Sequence, residues 1–320
     1  YGTSDPTFSF TSSGLKNSET ISSVTNTFTG TGSYNSTTAP TNVGSYTITP
    51  SSAVFAGSAS ASNYSITYAT ASYSITQATQ SLTIAAGSST IAYYGTTTIT
   101  PSGYSGTGNI TYTVGSGCSL SSGTLTVTAS SGTCTITATI AADTNYSAAT
   151  SNTLTITRTT APLTITATTT SSSKVYGASD PTFSFTSSGL KNSETISSVT
   201  NTFTGTGSYN STTAPTNVGS YTITPSSAVF AGSASASNYS ITYATASYSI
   251  TQATQSLTIA AGSSTIAYYG TTTITPSGYS GTGNITYTVG SGCSLSSGTL
   301  TVTASSGTCT ITATIAADTN

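Results

Sequence analysis

The chain has 320 residues, of which 35% are hydrophobic and 3% are charged, and its formal net charge at pH 7 is −2. Four basic side chains cannot form the surface that binds nucleic acid or an anionic membrane, so we expect neither partner. No run of about 18 apolar residues is present, and we therefore expect no membrane insertion within this chain. Histidine is absent, which excludes Ser-His-Asp and Cys-His catalysis.

Two copies of one long sequence make up the chain. Residues 1–145 and 176–320 match at an offset of 175 residues, and Thr3 against Ala178 is the one difference. Residues 146–175 join the copies, and the same segment would be needed before Tyr1 and after Asn320 to complete the pattern. We therefore expect a window on a longer tandem array, cut within a domain at both ends. Arrays repeat a surface or a length, which favours a mechanical or adhesive role over a catalytic one.

Each repeat divides into two unlike halves, and each half is about the size of one β-sandwich. This division predicts four domains, named here module 1 (residues 1–77, N-terminally truncated), module 2 (78–160), module 3 (161–252) and module 4 (253–320, C-terminally truncated).

Apolar residues alternate with Ser and Thr through modules 2 and 3, with a period of two. In module 2 the alternating positions are Leu82 and Ile84; Ile99; Ile110, Tyr112 and Val114; Leu125, Val127 and Ala129; Cys134, Ile136, Ala138 and Ile140; and Leu154 and Ile156. In module 3 they are Leu163, Ile165 and Ala167; Phe183 and Phe185; Tyr221 and Ile223; Tyr239, Ile241 and Tyr243; and Tyr248 and Ile250. A period of two is typical of half-buried antiparallel strands, and no window shows comparable helical periodicity. We expect an all-β protein, a tandem array of antiparallel Ig-like β-sandwich domains.

Residues that favour turns separate the predicted strands. In module 3 the predicted breaks are Gly177–Pro181, Gly205–Gly207, Pro215, Pro225 and Gly232–Asn238. Gly219 is expected to permit a tight start to the strand that contains Tyr221.

The four cysteines form two copies of one pair, Cys118 with Cys134 and Cys293 with Cys309. Cys134 continues the inward positions of its strand, and Cys118 shares the parity of the strand before it, so both point toward a core. We predict structural disulfides, each stabilising its module by roughly 3 kcal/mol in the chain-entropy model. A redox-active pair would need an adjacent positive group, and a zinc site would need further ligands that the chain does not offer. The pairs also favour an oxidising, extracellular setting.

Few residues offer other chemistry, and each has a simpler structural interpretation. Asp180 and Glu194 are the one acid pair available within a module for glycosidase chemistry, but turn capping is the expected role of both. Asp143 with Asn145 offers too few carboxylates for calcium, so we expect a turn there and no metal site. Lys174 or Lys191 could form an isopeptide bond to an Asn, although a solvated lysine is expected. We therefore predict no catalytic residue, no cofactor and no enzymatic activity.

The 21 tyrosines suggest a second kind of site, because aromatic faces suit sugar rings. Most of them occupy inward strand positions, as Tyr112, Tyr221 and Tyr239 do, and there core packing is the expected role.

Three stretches of module 3 resemble a known family. They are Lys174–Phe183 followed by Gly189-Leu190, then Val218–Ile223, and then Asn238–Tyr243. This pattern resembles the MBG domain of YGX type, which implies tandem modules in large bacterial surface proteins and adhesins. Modules 2 and 4, through Gly132–Ala138 and Asn145–Ala149, are similar to bacterial Ig-like modules of such proteins. The resemblance implies no catalytic residue.

We expect an extracellular structural or adhesive repeat protein, a stalk or fibre segment of a bacterial surface adhesin. One alternative is a self-assembling secreted filament or matrix subunit, because the strand edges lack the charges that block edge pairing. A second alternative is a multivalent carbohydrate-binding array. The expected partners are neighbouring copies of the array, with surface glycans or a host or neighbouring cell surface as further candidates.

Overall fold

The computed structural model describes residues 1–319, and Asn320, the last residue of module 4, lies outside this range. The chain divides into two compact units, Tyr1–Thr160 and the residues from Ala161 onward. Strands dominate both units. The helices among the described residues are four 3-10 turns of three residues each, Thr31–Ser33, Ala61–Asn63, Thr206–Ser208 and Ala236–Asn238. No described helix is long and apolar enough to cross a membrane. The all-β fold class is confirmed.

Module 1 contains one antiparallel sheet. Its strands are β1 (Ile21–Gly30), β2 (Tyr34–Ser36), β3 (Gly44–Phe55) and β4 (Ala71–Ile75). They lie in the order β2-β1-β3-β4. The twenty residues before β1 contain no strand.

Module 2 is a two-sheet sandwich. Its strands are β5 (Thr83–Ala86), β6 (Thr90–Ala92), β7 (Thr96–Ser102), β8 (Ile110–Val114), β9 (Cys118–Ser121), β10 (Thr124–Val127), β11 (Thr133–Ile140), β12 (Ala149–Thr150) and β13 (Leu154–Thr159). One sheet has the order β5-β7-β10-β9, and the other has the order β12-β11-β13-β6 with β8 paired to β11. Both sheets contribute to one core, in which Leu125, Ile136 and Ile156 are fully buried.

Module 3 also has two sheets. Its strands are β14 (Ala161–Thr169), β15 (Ser173–Val175), β16 (Phe183–Ser188), β17 (Ile196–Gly205), β18 (Tyr209–Ser211), β19 (Gly219–Phe230), β20 (Tyr239–Ala244) and β21 (Ala246–Thr251). The sheets have the orders β16-β14-β20 and β15-β21-β19-β17-β18. The core cluster between them includes Ala167, Phe203, Ile223 and Tyr248.

Module 4 has the strands β22 (Thr258–Ala261), β23 (Thr271–Ser277), β24 (Ile285–Val289), β25 (Cys293–Ser296), β26 (Thr299–Val302) and β27 (Ile311–Ile315). They form a sheet with the order β22-β23-β26-β25 and a pair of β24 with β27.

Most strand pairs are antiparallel, as the alternation predicts, but three pairs are parallel. These are β6 with β13, β14 with β20, and β15 with β21. Parallel neighbours need a long connection between them. Residues 170–238 supply it for β14 and β20, and this segment includes five other strands.

The break predicted at Pro225 is wrong, because β19 continues through it. Pro225 is buried and lies opposite Asn201, just before a register shift at which β19 has one residue more than β17. Ser227, within that irregular stretch, has a φ of 50°. Pro225 thus marks the approach to a β-bulge, a position at which strands tolerate proline. The other four predicted breaks in module 3 lie between strands or at a strand end.

Gly219 starts β19 where two segments approach closely. A Cβ atom on Gly219 would lie 2.5 Å from the Cβ of Thr206. The Thr206 hydroxyl accepts a hydrogen bond from the N–H of Ser220 at 2.9 Å. Glycine is needed here because a side chain would displace Thr206 from this bond.

Candidate functional site

The cysteine pair of module 2 joins its two sheets. Cys118 begins β9 and Cys134 lies in β11, which belong to opposite sheets of module 2. Their sulfurs are bonded, and their Cα atoms are 6.2 Å apart. The bridge of module 2 therefore ties one face of the sandwich to the other. In module 4, Cys293 of β25 is bonded to Cys309, which lies just before β27, with a Cα separation of 6.0 Å, and no described cysteine is free.

The two acids of module 3 do not converge. Asp180 forms an ion pair with Lys174. The carboxylate of Glu194 accepts a hydrogen bond from the hydroxyl of Tyr239, which itself accepts the N–H of Lys191 at 2.9 Å. Both acids therefore fasten loops to strands, and the geometry offers no two-carboxylate site.

Asp143 organises a loop of module 2 through main-chain hydrogen bonds. Its carboxylate accepts N–H groups from Thr107 at 2.6 Å and from Asn145 and Tyr146 at 2.8 Å each. These bonds, that of Thr107 first, hold the pKa of Asp143 below its usual value. Asp318 makes the equivalent bond in module 4 at 2.7 Å. The described residues contain no cluster of three or more potential metal ligands. N–H donors surround the carboxylate of Asp143, in the loop that the sequence offers for calcium.

The loop of Asp143 also forms hydrogen bonds with the residues at the boundary between modules 1 and 2. The side-chain amide of Gln77 donates to the carbonyl oxygen of Asp143 at 2.5 Å. Ala78 donates its N–H to the carbonyl of Asn145 and accepts the N–H of Ser147, both at 2.9 Å. Ala78, the first residue of module 2, thus forms a parallel β-bridge within that module, and the Gln77 contact crosses the boundary beside it.

The same side-chain contacts recur between modules 3 and 4. Gln252 donates to the carbonyl of Asp318 at 2.7 Å. Gln255 accepts the N–H of Gly281 at 3.0 Å, as Gln80 does in the first copy at 2.9 Å. We name these two contact regions the module junctions.

The sequence analysis did not single out the junction glutamines. All glutamines of the chain lie in the two copies of Gln-Ala-Thr-Gln, at residues 77–80 and 252–255. This restriction to one motif was the available signal, because a side-chain amide can both donate and accept across a junction.

Five of the 21 tyrosines are buried, namely Tyr46, Tyr93, Tyr221, Tyr239 and Tyr248, and most of the others are half-buried. Tyr221 and Tyr239 are 4% and 5% exposed. Tyr268 and Tyr269 are 54% and 66% exposed, but Tyr93, which has the sequence position of Tyr268, is 5% exposed in module 2. The exposure of this tyrosine therefore depends on how complete its module is, and it does not indicate a sugar site.

Module 1 contains a surface groove with a volume of about 730 Å³. One wall is formed by residues 7–13, and the other by residues 64–69. Ile48 and Tyr73 lie at its floor. We name this feature the strand groove. It corresponds in sequence to the space that β14 occupies between β16 and β20 in module 3.

Comparison with known proteins identifies one family. The family model for the MBG domain (YGX type) matches residues 1–74 and 163–249, about half of the chain. No curated protein matches.

Solved structures with similar backbones include domains 1–6 of the surface layer protein SbsC, at 14% identity and a TM-score of 0.26. The N-terminal eight Ig domains of Down Syndrome Cell Adhesion Molecule match at 12% identity and a TM-score of 0.27. The alignments cover 92% and 84% of this chain, but they span only 48% and 37% of those two chains.

Proposed function

Because the chain belongs to the MBG domain family of YGX type, we propose that it is a segment of an extracellular structural repeat protein. Its specific role in this proposal is the stalk or fibre of a bacterial surface adhesin. Its partners would be neighbouring modules of the same array, and its working property would be length. The proposal assigns no catalytic role to any residue.

The observation that carries the proposal is the recurrence of the module junction. A stalk keeps a constant length only if consecutive modules keep a fixed orientation relative to each other. The side chain of Gln77 in module 1 bonds to the Asp143 loop of module 2, beside the main-chain bonds that fix Ala78 to the same loop. The glutamine contact recurs at Gln252, so both copies of the repeat would restrain the orientation of their first module relative to their second. Each hydrogen bond stabilises this relation by about 1 kcal/mol.

The disulfides and the surface chemistry agree with an extracellular location. Bridges of this kind persist in oxidising compartments. They close a loop in modules 2 and 4, and so add resistance to unfolding there. The chain is almost uncharged, so its solubility depends on the hydroxyl groups that alternate with the buried side chains.

The proposal is tested by measuring how the end-to-end length of the chain grows with the number of repeats. Chains with two, three and four copies of the 175-residue repeat are imaged by electron microscopy, with the same chains carrying Gln77→Ala, Gln252→Ala and the equivalent changes as controls. A constant increment in end-to-end length per repeat is expected, and greater bending at the altered junctions. Lengths that grow only as the square root of repeat number, as for a flexible chain, would contradict a stalk.

Location needs a separate measurement. Intact source cells are treated with protease and probed with an antibody against this chain. Loss of the signal without lysis is expected, and full protection would contradict a surface protein.

A further inference from the structure

Two tyrosine rings meet at the junction of modules 1 and 2. Tyr1 belongs to module 1, and Tyr146 lies in the loop of module 2 that Asp143 organises. Their ring centroids are 5.5 Å apart and their planes are inclined at 76°, so the edge of one ring faces the plane of the other. The contact therefore joins two side chains from different modules.

The main chain holds the first tyrosine in place. The amino nitrogen of Tyr1 donates to the carbonyl oxygen of Thr76 at 2.8 Å. Tyr176, which has the same position in the second copy, donates its main-chain N–H to the carbonyl oxygen of Thr251, also at 2.8 Å. The position of Tyr1 therefore does not depend on a free amino terminus.

The loop of module 2 holds the second tyrosine. The N–H of Tyr146 donates to Oδ1 of Asp143 at 2.8 Å, and its carbonyl accepts the N–H of Asp143 at 3.0 Å. The next residue, Ser147, donates its N–H to the carbonyl of Ala78 at 2.9 Å. Hydrogen bonds of the main chain thus keep both rings beside each other, and such proximity raises the effective concentration of one ring at the other.

The two side chains remain accessible. Tyr1 and Tyr146 are half-buried, and neither hydroxyl has a hydrogen-bond partner among the described residues. Tyr34 and Tyr46, with ring centroids 5.8 Å apart, differ in this respect, because both hydroxyls donate to main-chain carbonyls and Tyr46 is 4% exposed. The junction pair can thus release its phenolic protons to solvent, whereas hydrogen bonds hold the other pair.

The composition of the chain directs oxidation to tyrosine. Methionine, tryptophan and histidine are absent, and all four cysteines are joined in disulfides. Free thiols and thioethers are common targets of oxidants in proteins. Because the chain offers neither group, the phenol rings of tyrosine are its most readily oxidised side chains.

We propose that Tyr1 and Tyr146 are a site of oxidative tyrosine cross-linking, which joins module 1 covalently to module 2. Each phenol gives up one electron and its hydroxyl proton, and the two radicals form a carbon–carbon bond between ring carbons adjacent to the hydroxyl-bearing carbons. The hydrogens at these carbons then move to the oxygens and restore both hydroxyls. The oxidant is hydrogen peroxide acting through a peroxidase, and the two electrons and two protons reduce it to two molecules of water.

The bond would make the junction permanent. Hydrogen bonds of the junction glutamines open and close, whereas a carbon–carbon bond holds the two modules together even when one of them unfolds. The proposal goes beyond the stalk, because it needs only the contact of the two rings. Its failure would leave the length test unaffected.

Trypsin digestion locates the bond, because the chain has only four basic residues. Cleavage after these residues releases fragments 1–16 and 17–158, among others. Tyr1 is the single tyrosine of the first fragment, and Tyr146 lies in the second. The 320-residue chain is treated in dilute solution with hydrogen peroxide and a peroxidase, denatured and digested. We expect the two fragments to be joined, with a mass lower than their sum by two hydrogen atoms.

Matched variants test the identity of the partner. Tyr146→Phe keeps a ring at the junction but removes the phenol, and it should lower the yield of joined fragments at least about tenfold, because the coupling needs two adjacent phenols. Tyr104→Phe, at a 41% exposed position of the same fragment, should leave the yield unchanged. Circular dichroism of both variants checks that the fold is retained. Equal yields from Tyr146→Phe and the unaltered chain would overturn the site.

Fragment 175–191 is a control within the same chain. Its single tyrosine, Tyr176, has the sequence position of Tyr1 and is exposed, but it contacts no ring among the described residues. It should join another fragment at least about tenfold less often than fragment 1–16 does. The proposal fails if fragment 1–16 stays separate after peroxidase treatment, or joins no more often than fragment 175–191.

Occurrence in the organism is tested on protein isolated from source cells. Mass spectrometry of the same digest should find the joined fragments. Completely separate fragments would contradict a natural modification at this site.

Discussion

Modules 1 and 3 have the same sequence from residue 4 onward, yet their cores differ. Ile223 is fully buried and Tyr248 is 1% exposed in module 3, whereas the equivalent Ile48 and Tyr73 are only half-buried in module 1. β16 and β20 of module 3 also have no strand counterparts in module 1. Module 1 lacks the sequence of β14 and of the short β15, and β14 is the strand that lies between β16 and β20. The comparison shows that a local sequence specifies these strands only when the central strand lies between them.

The largest effect is expected from a charge within β14. Ile165→Asp would place a carboxylate in the core of module 3, and we expect it to lower the free energy of unfolding of that module by at least about 4 kcal/mol. Module 3 should then resemble module 1 in urea unfolding followed by circular dichroism. Thr164→Asp, on the exposed face of the same strand, is the control and should change stability by less than about 0.5 kcal/mol. Similar effects from both variants would refute the role of β14.

A matched pair of truncations compares the two cores directly. Ile223→Ala removes side-chain atoms that are 0% exposed, and the expected cost is about 2–5 kcal/mol. Ile48→Ala changes the same residue in the same local sequence, but its half-buried site should make the cost smaller. Urea unfolding of each variant in the full chain measures the two costs. A cost for Ile48→Ala equal to that of Ile223→Ala would mean that the module 1 core is complete without β14.

The disulfides permit a similar comparison between modules 2 and 4. Replacing Cys118 and Cys134 by Ser should destabilise module 2 by roughly 3 kcal/mol, since the bridge closes its loop across two sheets. The same change at Cys293 and Cys309 should cost less, because the second sheet of module 4 has two described strands. Intact mass before and after alkylation first establishes that all four thiols are oxidised. Free thiols in the secreted protein would contradict the extracellular proposal.

The smallest effect concerns alkaline pH. Burial, followed by the nearby charge of Asp180, raises the pKa of Tyr248 from 10.0 to about 12. Folding thus favours the protonated hydroxyl, so its contribution to stability is full below pH 10.0 and is lost as the pH rises toward about 12. Burial also raises the pKa of Tyr73. Ultraviolet titration of the chain and of the Tyr248→Phe and Tyr73→Phe variants should assign the later ionisation to Tyr248, and an earlier ionisation at Tyr248 than at Tyr73 would contradict its deeper burial.

The sequence predicted the strands that alternate regularly, and β14 is the clearest example. It could not predict β17 in the same way, because Ile196, Val199 and Phe203 are spaced three and four residues apart. Register shifts in β17 and β19 disturb the period of two at that point. The irregular stretch after Pro225 likewise depends on the partner strand and not on local preference.

The candidate sites were predicted less completely than the fold. The parity of Cys134 in its strand indicated an inward position, and the side chain is 2% exposed. The contacts of Gln77 and Gln252 depend on a loop of the next module, about 66 residues away in sequence. The different local structures of residues 4–77 and 179–252 could not be predicted from those residues, because the two stretches are the same; the difference depends on the β14 segment.

Nuclear magnetic resonance of the backbone amides tests the central claim most directly. The 320-residue chain should give two sets of resonances for the sequence shared by modules 1 and 3. A chain extended before Tyr1 by the sequence of Ala161–Val175 should give resonances for module 1 that coincide with those of module 3. One shared set in the original chain, or two distinct sets that persist after the extension, would contradict the conclusion that β14 completes the module.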